Sequence, residues 1–227
     1  MKILVVDDST VFRTQLTKVL EANISNCQVV TAQNGKAALV KCGLYNFDLI
    51  ILDMNMPELD GLGTLAELKN RGIRATSIVF ASRTAKSAEE TIKALSLGAF
   101  DFVLKPDGNT NNLLEAMHQI EQELIPKIVP LMNRITNAAN KRDSMSPNLR
   151  VELPKVTTVP VTAGEDFNKL NVEQFEAMAV VIASSTGGPT ALEGLFKDCG
   201  RITRIPIFIA QHMPKDFTRF LASRLSD

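Results

Sequence analysis

ILVVDD at residues 3–8, LIILD at 49–53 and FVLKP at 102–106 are short apolar runs that each reach a charged residue or pair. Set side by side as strands of one parallel sheet, they bring Asp7, Asp8, Asp53 and Lys105 to the carboxyl ends of the strands, where open α/β sheets form their sites. Three carboxylates beside one ammonium make a place for a cation and a phosphoryl group. A single strand-end aspartate is usually a turn or helix-cap residue. Four such charges at the ends of three runs are better explained together.

Outward from these runs, apolar stretches alternate with amphipathic ones from Met1 to about Leu124. The pattern predicts strands over about 2–7, 28–32, 48–53, 77–81 and 101–104, and helices over about 10–22, 35–45, 61–70, 87–97 and 110–124. Short βα connections of this kind imply a doubly wound sheet of five parallel strands, an α/β fold. Pro126 and Pro130 oppose a regular continuation of the last helix. The segment 125–176 reads as a linker: Pro147, Pro154 and Pro160 interrupt a polar run, and its basic residues, Lys127 and Lys155 among them, read as solvated or, alternatively, as docking on acidic receptor surface. The βα rhythm resumes over 177–227 with two strand–helix units, an incomplete Rossmann-like α/β domain.

Composition narrows the classes. Lys plus Arg and Asp plus Glu each number 25, so no net field draws the chain to nucleic acid or an anionic membrane, and no helix-turn-helix with a basic recognition helix follows the first domain. Cys27, Cys42 and Cys199 form no CxxC and are odd in number, which argues against a disulfide framework or zinc and fits a reducing cytoplasm. The early apolar run is broken by Asp7 and Asp8, and no stretch is long enough to span a bilayer, so neither a signal peptide nor membrane insertion is expected.

A small hard cation such as Mg²⁺ binds through one or two carboxylates and shares its remaining positions with waters and phosphate oxygens. Asp8 and Asp53 suit direct ligation, with Asp7 acting through a water and the Asn55 backbone carbonyl as a third protein oxygen. Asp53 is the best nucleophile toward a phosphoryl group, and Lys105 would hold a phosphoryl oxygen as a point charge.

VVDDS, LDMNMPELDGL and the distal KP resemble the receiver domain of two-component response regulators, over about 1–124. The resemblance implies a flavodoxin-like fold, phosphorylation at Asp53, Mg²⁺ held by Asp7, Asp8 and Asp53, a contact from Lys105 to the phosphoryl group, and a histidine kinase as partner. The family also carries a hydroxyl residue at the end of the fourth strand. In IVFAS, Ala81 or Ser82 fills that place, with Ser82 as the candidate phosphoryl contact. Phe102 falls where the family has an aromatic that reorients in the switch, or is a core residue of the last strand.

The second cluster is SSTGGP at 184–189. A strand entering a Gly-rich turn and then a helix places free N–H groups at the turn, which suits a nucleophile at Ser185 or a bound phosphate. His212, in QHMP after the next strand, would lie near Ser185 if the two strands are neighbours. The other histidine, His118, is expected on the polar side of a helix.

IASSTGGPTAL and QHMPKDFT resemble the catalytic domain of chemotaxis protein-glutamate methylesterases. This implies a carboxylic ester hydrolase that acts on glutamate methyl esters of chemoreceptors and deamidates certain glutamines, with Ser185 as nucleophile, His212 as general base and no cofactor for the hydrolysis. Ser184 stands where the family usually has Ala; register favours Ser185 as the attacking residue. The family's third triad acid is absent from this sequence: Asp216 reads as an N-cap and Asp227 is terminal, so the catalytic domain is expected to be truncated. The alternative is a non-enzymatic phospho-acceptor module with a vestigial tail. By the same resemblance, the unphosphorylated receiver covers the esterase site.

Overall fold

The computed structural model describes residues 1–106, 113–142, 178–199 and 205–226. The first unit alternates β1 (Lys2–Val6), α1 (Thr10–Asn23), β2 (Gln28–Ala32), α2 (Gly35–Leu44), β3 (Leu49–Asp53), α3 (Gly61–Asn70), β4 (Thr76–Ala81), α4 (Ala85–Ser96), β5 (Asp101–Leu104) and α5 (Leu113–Arg142). Its five parallel strands lie in the order β2-β1-β3-β4-β5. The central strands β1 and β3 are almost wholly apolar because both of their faces are covered. Leu4, Val6, Ile50, Leu52, Val79 and Phe102 face one layer of helices, and Ile3, Val5, Leu49, Ile51, Ile78 and Val103 the other.

The helices begin where the chain offers an acceptor for their first free N–H groups. Ser9 accepts from the Phe12 N–H, Asn34 from Ala37, Asp60 from Gly63 and Thr84 from Ser87. Gly61 lets α3 start hard against the end of β3: a Cβ there would lie 2.7 Å from the Asp53 carbonyl oxygen. That close approach is what the Asp-Gly pair in LDMNMPELDGL provides.

α5 differs from the expectation at its end. It runs unbroken through Pro126 and Pro130 to Arg142. A proline inside a helix costs about 3 kcal/mol, whereas burying an aliphatic side chain contributes roughly 1.5–3 kcal/mol. Leu124, Ile128 and Leu131 are all buried against the sheet, so packing of this one face offsets the two prolines. The rest of the segment read as a linker, from 143 on, lies outside the described residues.

The second unit consists of β6 (Val180–Ser184), α6 (Gly188–Cys199), β7 (Ile207–Gln211) and α7 (Lys215–Ser226). β6 and β7 pair in parallel, Val180 opposite Ile207 and Ser184 opposite Gln211. α7 begins at Lys215, so Asp216 lies inside its first turn and is not the N-cap expected; Pro214 precedes the helix. This small unit leans on the first. Leu192, Phe217 and Leu221 are buried in the same cluster as Ile92, Leu95, Phe102 and Leu104. Its outward side is apolar and open, with Val181 73% and Phe208 60% exposed.

Candidate functional site

Register explains the acidic crevice. β1 and β3 end side by side, Val6 opposite Leu52, so Asp7 and Asp53 come next to one another, and Lys105 follows Leu104 at the end of β5. Lys105 Nζ lies 2.7 Å from Asp53 Oδ2 and 3.0 Å from Asp7 Oδ2, bridging two carboxylates that are nearly wholly buried. Asp8 is exposed at the mouth, and one carboxylate oxygen from each of Asp7, Asp8 and Asp53 lies within 4.8 Å of the others. Three such oxygens at that spacing, one of them open to solvent, fit a hard cation that keeps part of its water shell.

The electrostatics of the crevice are under tension. Burial pushes the Asp53 carboxyl above its ordinary range; the Lys105 ammonium and the Asn55 N–H pull it back, and the neighbouring Asp7 charge adds to the rise. Burial opposes the charge on Lys105 too, yet the Asp53 and Asp7 carboxylates outweigh it and its pKa is raised. The two rises have different causes, burial for Asp53 and carboxylate attraction for Lys105, but two buried anions sharing a single cation still favour a further positive charge there.

At the end of β4, Ala81 is wholly buried and its carbonyl accepts the Lys105 N–H at 2.7 Å, while Ser82 is partly exposed one residue on. The Ser82 N–H donates to Ser87 Oγ at 3.0 Å, which fixes the turn into α4. Of the two residues, only Ser82 carries a hydroxyl.

The second unit places its residues by the same logic. Because Ser184 and Gln211 are paired across β6 and β7, Ser185 and His212 follow in step, and the His212 N–H donates to the Ser184 carbonyl at 2.9 Å. Ser185 Oγ stands 3.5 Å from His212 Nδ1, at the outer edge of hydrogen-bonding distance. The adjacent Ser184 hydroxyl is committed elsewhere, donating to Gln211 Oε1 at 2.6 Å. Gln211 Nε2 in turn donates to the Ser185 carbonyl at 2.9 Å, tying the turn to β7. Among the described residues no carboxylate pairs with His212, and Asp227 lies outside them. His118 is exposed on α5 beside Gln122 and Glu121.

With this geometry in place, comparison is decisive. Residues 3–118 match the response regulator receiver domain family. The chain belongs to that family. The receiver fold has a solved counterpart in the response regulator domain of Thermotoga maritima CheB, 34% identical, with a TM-score of 0.51 over 59% of this chain and 96% of that one. Residues 180–227 match the CheB methylesterase family. Proteins named protein-glutamate methylesterase/protein-glutamine glutaminase align along almost all of this chain: 36% identical in Trichodesmium erythraeum over 99% of this chain and 60% of that protein, and 36% in Archaeoglobus fulgidus over 100% and 59%. A third, from Nocardioides sp., is 34% identical over 99% of this chain and 58% of its own length. The chain thus spans about 60% of the curated relatives it matches.

The receiver and the tail share a cavity of about 580 Å³. Arg83, Phe102 and Leu104 of the receiver and Lys127 of α5 form one side; Ser185, His212 and Met213 form the other. Phe102 is buried, its ring stacked on Phe217 of α7. The sequence reading found Phe102 but not its partner. It also missed Gln211, although QHMP places it beside His212, and it assigned Lys127 to a solvated run, whereas Lys127 Nζ lies 3.1 Å from Asp101 Oδ1 at the start of β5. A second junction joins α4, α6 and α7: Ser96 Oγ donates to Glu193 Oε1 at 2.7 Å, and Arg224 Nε lies 3.1 Å from the same oxygen.

Proposed function

We propose that this chain is the receiver and the opening catalytic part of a chemotaxis response regulator, in which phosphorylation at Asp53 controls hydrolysis of glutamate methyl esters and deamidation of glutamines on chemoreceptors. The observation that carries this reading is the Ser185–His212 pair, opening on a cavity whose opposite wall is the switch side of the receiver. The names of the relatives support the catalytic half and do not favour a vestigial tail.

In the receiver, an Asp53 carboxylate oxygen attacks the phosphoryl group of a phosphohistidine kinase or a small acyl phosphate, and the bond from phosphorus to the leaving group breaks. Asp7, Asp8, Asp53 and the Asn55 carbonyl would hold Mg²⁺, which when bound neutralises charge on the transferring oxygens. Lys105 then moves from pairing with Asp53 to pairing with a phosphoryl oxygen, and the Ser82 hydroxyl donates to another.

In the tail, His212 removes the Ser185 proton as Oγ attacks the ester carbonyl. Methanol leaves from an ester, ammonia from an amide, and water then releases the glutamate. The Gly187 N–H of the glycine turn stabilises the developing oxyanion, while the Gly188 N–H holds the turn through the Ser185 carbonyl at 2.8 Å. The partners are a chemotaxis histidine kinase and the cytoplasmic portions of methylated chemoreceptors, which puts the protein in the cytoplasm. No helix among the described residues is long and apolar enough to cross a membrane.

The test is methanol release from methylated chemoreceptor by a protein carrying the further residues its relatives possess, with and without acetyl phosphate and Mg²⁺. Release should depend on Ser185 and rise on phosphorylation only when Asp53 is present. Hydrolysis indifferent to Ser185→Ala would overturn the catalytic reading.

A further inference from the structure

The glycine turn that follows β6 already holds an anion. The Gly187 N–H donates to Asp101 Oδ2, 3.3 Å away, and Asp101 belongs to the receiver. This carboxylate is 3% exposed. Its other oxygen accepts the Phe102 N–H at 2.8 Å and lies 3.1 Å from Lys127 Nζ. Two neighbouring contacts seat the turn on the start of β5. Thr190 Oγ1 donates to the Ala99 carbonyl at 3.3 Å, and Phe100 lies so close that a Cβ on Gly187 would be 3.1 Å from its ring. With a φ of 72°, Gly187 also holds a backbone shape that favours glycine, so close approach and conformation point to the same residue.

A carboxylate has the charge and the oxygen geometry of the product released by a glutamate ester hydrolase. Backbone N–H groups at the head of a helix are the elements that would receive the oxygen of its substrate. Asp101, Ser185 and His212 border the same cavity. We infer that Asp101 is a built-in competitor for the Gly187 N–H of the glycine turn: in the resting chain the receiver's carboxylate occupies the donor that would receive the substrate's acyl oxygen. The inference rests on the esterase reading above and adds a chemical device to physical covering. It also supplies a route for release. Asp101 shares a hydrogen bond with the backbone of Phe102, and Lys127 sits both beside Asp101 and over the Phe102 ring, 5.4 Å from its centre. A shift of β5 as Lys105 turns toward a phosphoryl group withdraws the carboxylate and leaves the turn vacant.

The test follows the Gly187 amide by ¹H–¹⁵N NMR while sodium glutarate is titrated into the 227-residue chain, with sodium chloride at matched ionic strength as the control. In the resting wild type the amide should barely respond. In Asp101→Ala, combined with Lys127→Met so that no buried ammonium is left unpaired, it should shift saturably, with glutarate binding about tenfold tighter than in wild type. Asp101→Asn keeps the shape and should respond in the same direction. Wild type carrying beryllofluoride on Asp53 requires no substitution and should respond like the variants. An amide that ignores glutarate once the carboxylate is removed or withdrawn would overturn the inference, as would an equal response in resting wild type. Failure of the esterase reading shows separately, as methanol release that does not depend on Ser185.

Discussion

The ring of Phe102 lies flat on that of Phe217, centroids 4.8 Å apart and planes within 5°. One residue belongs to the last strand of the receiver and the other to the last helix of the tail, so any change in the side chain at the strand must be accommodated at the helix. Phe217→Ala should therefore remove more than a contact. Truncating a buried aromatic costs about 3–5 kcal/mol, and the loss should fall on the tail. Hydrogen exchange would check this: amides of β6 and β7 should exchange faster while those of β1 and β3 keep their protection. Unchanged protection in the tail would show that its order does not depend on the stack.

Asp53→Asn should abolish hydroxylamine-sensitive labelling by acetyl phosphate in the presence of Mg²⁺, and chelation of the metal should do the same to wild type. Lys105→Ala should still accept the phosphoryl group but fail to transmit it, read as the loss of the phosphorylation-dependent NMR change around Phe102. Labelling of Asp53→Asn equal to wild type would sink the assignment.

Asp53 also makes a pH prediction. Its folded pKa is raised, by burial first, so the folded chain holds a proton that the unfolded chain has already lost as pH climbs past the ordinary aspartate value of 3.8. Stability contributed at this site therefore falls as pH rises through that window and stays lower above it. Urea unfolding should find Asp53→Asn more stable than wild type at neutral pH, with the gap closing in acid. Added Mg²⁺ should raise the stability of wild type at neutral pH and leave the variant largely unaffected. A destabilised Asp53→Asn at neutral pH would contradict this account.

Glu193 behaves in the opposite sense. Burial raises its pKa, but hydrogen bonds from Ser96 and Arg224 and the charges of Arg224 and Lys197 lower it further, so the net shift is downward from 4.5. A depressed carboxyl contributes stability that is present above its unfolded pKa and is lost as pH falls through the folded value. The contact between α4 and the tail should thus loosen in acid, seen as faster proteolysis of α7. Glu193→Gln should weaken the contact at neutral pH and remove that acid dependence. Acid loosening of equal size in the variant would place its cause elsewhere.

In a protein extended to the length of its relatives, Ser185→Ala should lower methyl-ester turnover by on the order of 10⁶-fold, as loss of a nucleophile does when base and nucleophile act as a unit. The 227-residue chain alone should show negligible turnover, since no carboxylate orients His212 among the described residues. Methanol release measures both. A shorter chain that matches the extended one would show that the imidazole needs no such partner.

The receiver was legible because its information is local. Runs such as ILVV and LIIL have strand length and end at charges, and Ser9, Asn34, Asp60 and Thr84 mark helix starts by their own side chains. Strand order then brings Asp7, Asp53 and Lys105 together without further detail. What could not be read was set by distant packing. Pro126 and Pro130 carry a local signal to stop, yet the buried face of α5 outweighs it. Asp101 and Lys127 look like surface charges until β5 and α5 are laid against the glycine turn. Phe217 offers no sequence sign that its neighbour is Phe102, more than a hundred residues away.

The shared cluster of Leu192, Phe217 and Leu221 with Ile92, Leu95 and Leu104 bears on how the molecule comes into being. Domains generally fold as they leave the ribosome, amino-terminal part first. The receiver can complete its five-stranded sheet before β6 is made, and the tail then condenses on a finished template. An order of synthesis that reversed the two units would leave Leu192, Phe217 and Leu221 exposed for as long as the receiver took to arrive, the circumstance in which nascent chains aggregate or require a chaperone.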